Sequence, residues 1–94
     1  MTILRIEHKI SNFDGWKKAF DSDPINRKKL GVERYRIYRP AGNADFVIIE
    51  LDFDNLEQAQ ATQQALQNIF PNIEDKPIFE MQMKFLNIIE ETNL

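Results

Sequence analysis

The chain holds one histidine, His8, and no cysteine. An unperturbed imidazole titrates near neutral pH, so His8 is the side chain best placed to act as a general base. It lies in a run where Leu4, Ile6, His8 and Ile10 alternate with Arg5, Glu7 and Lys9. Period two predicts a half-buried strand with His8 on its apolar parity. Phe13, Trp16 and Phe20 follow at spacings of three and four, the stripe of one helix face, and Tyr35 adds a phenol. An imidazole with an aromatic wall and a hydroxyl suits a flat, apolar small molecule with a polar edge. In that reading His8 is catalytic, and Phe13, Trp16, Phe20 and Tyr35 bind the ligand. The competing reading makes His8 a hydrogen-bonded core histidine and the aromatics plain core. Room for a ring beside His8 favours the first, and packed side chains favour the second.

Other chemistry has less to stand on. Ser11 reads as a helix cap with no base beside it. Glu50 and Asp52 share one strand face, but Arg34 and Arg36 neutralise them, so they read as structural. Arg27, Lys28 and Lys29 form a small positive patch, either a solvated helix face or an anion site. One histidine without cysteine offers no ligand set for structural zinc. The residues suggest no metal and no organic cofactor.

Ninety-four residues predict a single domain spanning residues 1–94. At 43% hydrophobic and 29% charged the composition is that of a globular chain, and its net charge of −3 argues against a nucleic-acid partner. Neither a signal h-region nor a run of about 18 apolar residues is present, so the expected location is cytoplasmic, with no membrane partner. So short a chain buries a limited share of its surface, and oligomerisation is a natural supplement.

The positioning elements follow in order. Ser11 or Asn12 caps the first helix, in which Gly15 is a weak point that could allow close approach to the sheet. Asp23-Pro24 reads as a cap and first position of a short basic helix, residues 25–30, stopping at Gly31. Residues 32–53 form a β-hairpin. Setting Pro40 against Phe46 places Tyr38 opposite Ile48, Arg36 opposite Glu50 and Arg34 opposite Asp52, two opposite-charge pairs worth about 0.2–1 kcal/mol each. The other face pairs Arg39 with Val47, Ile37 with Ile49 and Tyr35 with Leu51, leaving residues 41–45 as the loop. Asp54 caps a second helix with Glu57 three residues on. Leu56, Ala59, Leu66 and Phe70 are its expected inner face, with Gln63 inside the stripe. Pro71 and Pro77 bracket a loop. A long strand, residues 78–89, alternates Phe79, Met81, Met83 and Phe85 with Glu80, Gln82 and Lys84. Residues 91–94 are expected to fray.

The order is β-α-β-β-α-β, an α+β class with a four-stranded antiparallel sheet in spatial order 4-1-3-2 and both helices on one face. RNA-recognition modules share this topology, but on its first and third strands the open face presents only Phe46 as an aromatic, beside Glu50 and Asp52, so that reading is rejected. The segments HKISNFDGWKKAFD (residues 8–21), RIYRP (36–40) and IELDFDNLEQAQA (49–61), with Arg27 and Gly31, resemble the dimeric α/β-barrel superfamily. Within it they are similar to small cyclase-like and antibiotic biosynthesis monooxygenase-like proteins. The resemblance covers residues 6–61 and is weak beyond them. Where relatives often carry Ser-Pro, this chain has Thr62-Gln63-Gln64. The resemblance implies a ferredoxin-like subunit and a homodimer whose sheets face each other as an eight-stranded barrel. It also implies a ligand site between each sheet and its helices, used by cofactor-free monooxygenases, isomerases and proteins of no known activity. The Asn–Trp–His constellation of haem-degrading members finds no counterpart here. The alternative is a non-catalytic dimeric module with a filled core.

Overall fold

The computed structural model describes residues 1–69 and 78–94, without the side chains of residues 69 and 78–80. The elements are β1 (Thr2–Ile10), α1 (Phe13–Asp21), β2 (Arg34–Tyr38), β3 (Phe46–Phe53), α2 (Leu56–Ile69) and β4 (Ile78–Asn87). They build the expected ferredoxin-like arrangement, one antiparallel sheet in the order β2-β3-β1-β4. Arginine-rich β2 takes an edge, where its outer backbone groups meet solvent. The apolar run of β3 lies inside.

Alternation decides the two faces. Leu4, Ile6, Val47, Ile49, Leu51 and Phe53 point to the helices and join Trp16 and Ala59 in one buried core. Arg5, Glu7, Arg34, Arg36, Glu50 and Asp52 occupy the other parity. The hairpin register is the expected one, with Arg34 opposite Asp52, Arg36 opposite Glu50, Ile37 opposite Ile49 and Tyr38 opposite Ile48. Pairing stops at Tyr38, so the predicted Arg39–Val47 pair is not part of the ladder and the connection begins at Arg39.

Four local expectations are corrected. Residues 25–30 are a series of turns. Asp23 and Asn26 both take the left-handed conformation, at φ 52° and 57°. Their side chains accept from the backbone N–H groups of Arg27 and Lys29, a local bonding that competes with helix. Gly15 makes no approach to the sheet, for a Cβ there would meet Asn12 at 3.8 Å, an ordinary contact. Asn55 rather than Asp54 caps α2. Its Oδ1 accepts from the Gln58 N–H at 2.9 Å, while Gln58 Oε1 accepts from the Asp54 N–H at 3.2 Å, a reciprocal cap one residue late. The inner face of α2 also turns: Ala59 and Thr62 are fully buried, Leu66 packs at the core's edge, and Leu56 is exposed. Thr62 Oγ1 donates to the Gln58 carbonyl at 3.0 Å, which satisfies its hydroxyl without a polar partner in the core. Phe70, Pro71 and Pro77 lie outside the described residues.

β4 ends at Asn87, two residues earlier than expected. Its pairing with β1 shifts between Glu7 and Lys9, because Glu7 opposes Gln82 whereas Lys9 opposes Phe79. Two residues of β4 therefore face the single residue His8, a β-bulge that interrupts the alternation expected from Phe79 onward. No helix among the described residues is long and apolar enough to cross a membrane.

Candidate functional site

The parity of β1 carries His8 into the core, where it is 1% exposed. Asn12 starts α1 directly after β1, its Oδ1 accepting from the Gly15 N–H at 3.0 Å. That start lays the Phe13–Trp16–Phe20 stripe over the sheet. Trp16, 3% exposed, reaches His8 with ring centroids 5.9 Å apart. Phe13 meets Trp16 at 5.8 Å, Phe20 stacks on Trp16 at 5.2 Å, and Tyr35 meets Phe20 edge-on at 5.0 Å. The five residues singled out from the sequence thus form one continuous row of rings. They do not converge on one point: Tyr35 is joined to His8 only through Phe20 and Trp16.

Two arginines close the row. The Arg27 guanidinium lies 3.9 Å above the centroid of Phe20 and 5.1 Å from that of Tyr35. It donates to the Phe20 carbonyl at 2.7 Å, and its Nε lies 3.5 Å from Asp23 Oδ1. Arg39 sits 4.6 Å over Phe13. Neither stacking role was visible in the chain, where Arg27 reads as part of a basic patch. The signal that could have found them is an arginine within reach of each end of an aromatic stripe.

His8 has a defined electrostatic state. Burial lowers its pKa below the ordinary 6.5, and a hydrogen bond to Lys9 offsets this only in part. Nδ1 donates to the Lys9 carbonyl oxygen at 3.3 Å. A carbonyl only accepts, so this tautomer keeps the proton on Nδ1 and the lone pair on Nε2. The imidazole is therefore neutral at pH 7 and chemically a proton acceptor. It packs beneath the Trp16 ring and opposite the bulge of β4. Bulges recur beside active sites because they re-aim side chains.

Cavities lined by described residues lie on both faces of the sheet. One of about 850 Å³ opens where the ring row ends, between Arg27, Lys28, Tyr35, Asp54 and Gln58. Glu33 lies in its wall, its pKa raised because its protonated carboxyl donates a hydrogen bond to the Asp54 carboxylate and because the two charges repel. The other, about 760 Å³, lies on the opposite face of the sheet among Arg34, Arg36, Glu50, Asp52 and residues 88–91. Neither includes His8. No group of three or more His, Cys, Asp or Glu side chains among the described residues is arranged to hold a metal ion.

No family model and no curated protein matches the chain. Solved structures do. A Deinococcus radiodurans protein named as an antibiotic biosynthesis monooxygenase superposes with a TM-score of 0.74 at 13% identity, over 100% of this chain and 98% of that one. A mutant of MhuD with two manganese protoporphyrin IX bound per active site gives 0.72 at 10% identity over 99% of both chains. A dimeric ferredoxin-like protein from an uncultured marine organism gives 0.70 at 10% identity over 97% of both. At such identities the likeness is one of fold. These neighbours match the superfamily that residues 6–61 resemble.

Proposed function

We propose that the chain is a homodimeric small-molecule protein that binds a flat, largely apolar ligand between sheet and helices and uses His8 as its general base. One observation carries the reading: a buried imidazole, its pKa lowered by that burial, packs against Trp16 with ring centroids 5.9 Å apart. Such a base can take a proton from an acidic C–H or phenolic O–H held against Trp16, with no cofactor required for that step. The MhuD neighbour, whose sites hold planar porphyrins, supports a fold able to admit flat ligands. The dimeric neighbour supports an assembly of two copies; if they meet through their open sheet faces, they close a barrel and cover the sheet edges.

The unbroken ring packing from His8 to Tyr35 favours a second reading, a dimeric module whose core is filled by its own side chains. A thermal-shift screen of planar phenols, quinones and enolisable ketones separates the two. The enzyme reading expects a hit whose stabilisation disappears in a folded His8→Gln variant. The same hit shifting His8→Gln equally would remove His8 from the site. A screen without hits on the intact dimer would leave the filled-core module. Sedimentation at micromolar concentration tests the dimer, and a monomer there would overturn it.

A further inference from the structure

Residues 88–94 follow β4 without belonging to any helix or strand. They carry Ile88, Ile89 and Leu94 beside Glu90 and Glu91, with no cation among them. Residues 88–91 form one wall of the 760 Å³ cavity on the open sheet face. The same cavity has an apolar floor at Ile3 and Leu86 and a charged wall at Arg34, Arg36, Glu50 and Asp52. The chain does not use this cavity to bury its own arm, since Ile89 remains 92% exposed. Nor is the charged wall closed. The Arg34 side chain is 65% exposed, and its bond to this wall runs from Nε to Asp52 Oδ2 at 3.1 Å. One copy therefore presents both parts of a two-fold contact, an acidic and apolar arm and, on the same open face, an apolar groove at Ile3 and Leu86 beside Arg34, in which the partner's arm would take the place of the copy's own. Such self-complementarity is what a two-fold contact between identical copies demands.

We propose that residues 88–94 are an exchange arm: in the dimer each arm lies across the open face of the other copy, seating Ile89 in the cavity and setting Glu90 and Glu91 against Arg34. This rests on the homodimer proposed above and specifies what holds it. Reach allows it. Glu91 lies four residues beyond the end of β4 at Asn87, about 13 Å of extended chain, and sheets packed face to face stand about 10 Å apart. Docking removes Ile89 from water and supplies Arg34 with carboxylates. The charge pairs lie at the rim and set register and specificity more than raw affinity. A contact made twice by symmetry counts twice in the free energy of association, so its factor enters the dissociation constant squared.

The test uses the full chain and five variants, with sedimentation velocity for assembly and circular dichroism for fold. Ending the chain at Asn87, or substituting Ile89→Asp, should leave the fold intact and raise the dimer dissociation constant at least about tenfold. Ile89 is exposed in the single copy, so its replacement has no fold of its own to break. The charge pairs are then read in trans. Arg34→Glu in one copy and the double substitution Glu90→Lys, Glu91→Lys in the other should each weaken self-association. Mixed, the two should form a heterodimer tighter than either alone. Arms docking on their own copies predict no such recovery, because each variant carries a repulsive pair within itself, and that outcome overturns the proposal. So does a dimer indifferent to arm removal, which leaves the homodimer standing. A full chain that sediments as a monomer fails both, before any variant is made. Glu90→Gln with Glu91→Gln, paired with the intact copy, should fall between the two extremes.

Discussion

The Arg36 guanidinium grips the Asp52 carboxylate with two bonds, Nη1 to Oδ2 at 2.9 Å and Nη2 to Oδ1 at 2.6 Å, although its cross-strand partner is Glu50. It also donates from Nε to Glu50 at 3.1 Å, so one arginine binds two carboxylates two residues apart on β3. Tyr38 donates to the same Glu50, and Arg5 reaches it from β1. Asp52 is 2% exposed, on the face of the sheet turned away from the helices. Its burial is sustainable because Arg36, and secondarily Arg34, hold its carboxyl well below the usual carboxylate range. The same bonds raise the Arg36 pKa further above its ordinary value.

Removing that grip is therefore expected to hurt. Arg36→Ala should cost about 2–3 kcal/mol in urea unfolding, since a buried carboxylate loses its bidentate partner while Arg34 remains. Asp52→Asn with Arg36→Ala together should cost less than the sum, because neither then leaves a buried charge unpaired. Additive costs in the double-mutant cycle would contradict the assignment.

Two groups give stability a pH dependence with a definite sign. The His8 pKa is lower folded than unfolded, so the unfolded chain binds the extra proton first. Stability is then complete above the unfolded value of 6.5 and is lost as pH falls from there toward the folded value. Asp52 behaves alike at lower pH: its contribution is present above 3.8 and lost as pH falls below that. His8→Gln should flatten the first slope and leave the second. Urea midpoints measured from about pH 7.5 down to about pH 2.5 check this, and an unchanged first slope in His8→Gln would remove His8 as its source.

Trp16 is the hinge of the ring row, touching His8, Phe13 and Phe20. Trp16→Ala should cost about 3–5 kcal/mol, enough to threaten folding in a chain this small. Trp16→Phe keeps a ring and should cost less. If the second reading of function holds, the two variants differ only in stability. If the first holds, Trp16→Phe also weakens ligand binding in a protein that remains folded.

Gly31 takes φ +96°, and a Cβ there would lie 2.6 Å from the Gln58 side chain that helps cap α2. Gly31→Ala should cost about 1–2 kcal/mol through backbone strain and this contact. Adding Gln58→Ala relieves the contact but not the strain, so the double variant should recover a part only. Complete recovery would show that the glycine is needed for space and not for its φ.

How much of this was legible in the chain follows from what is local. Strand parity is a property of neighbouring residues, so the inward aim of His8 and the two sheet faces could be read directly. The register of β2 on β3 was equally readable, because only one pairing sets Arg34 and Arg36 against Asp52 and Glu50. The order of elements, with right-handed connections, then left one sheet order, β2-β3-β1-β4. Where two residues competed for one local role, the chain alone was silent. Asp54 and Asn55 are both good caps, and only the docked position of α2, with Ala59 and Thr62 inward, decided for Asn55. Asp23 and Asn26 could open a helix or a turn, and the turn won because their side chains bond the backbone just ahead. The bulge opposite His8 depends on how β4 meets β1, a long-range pairing with no signature in either strand. Tertiary structure likewise chose the order of the rings. Spacing put Phe13, Trp16 and Phe20 on one stripe, but the crossing of α1 over the sheet determined that Trp16 meets His8 and that Phe20 stands between Trp16 and Tyr35. A stripe is set by the 100° step from one residue to the next, whereas a contact across elements is set by packing that the whole core must satisfy at once.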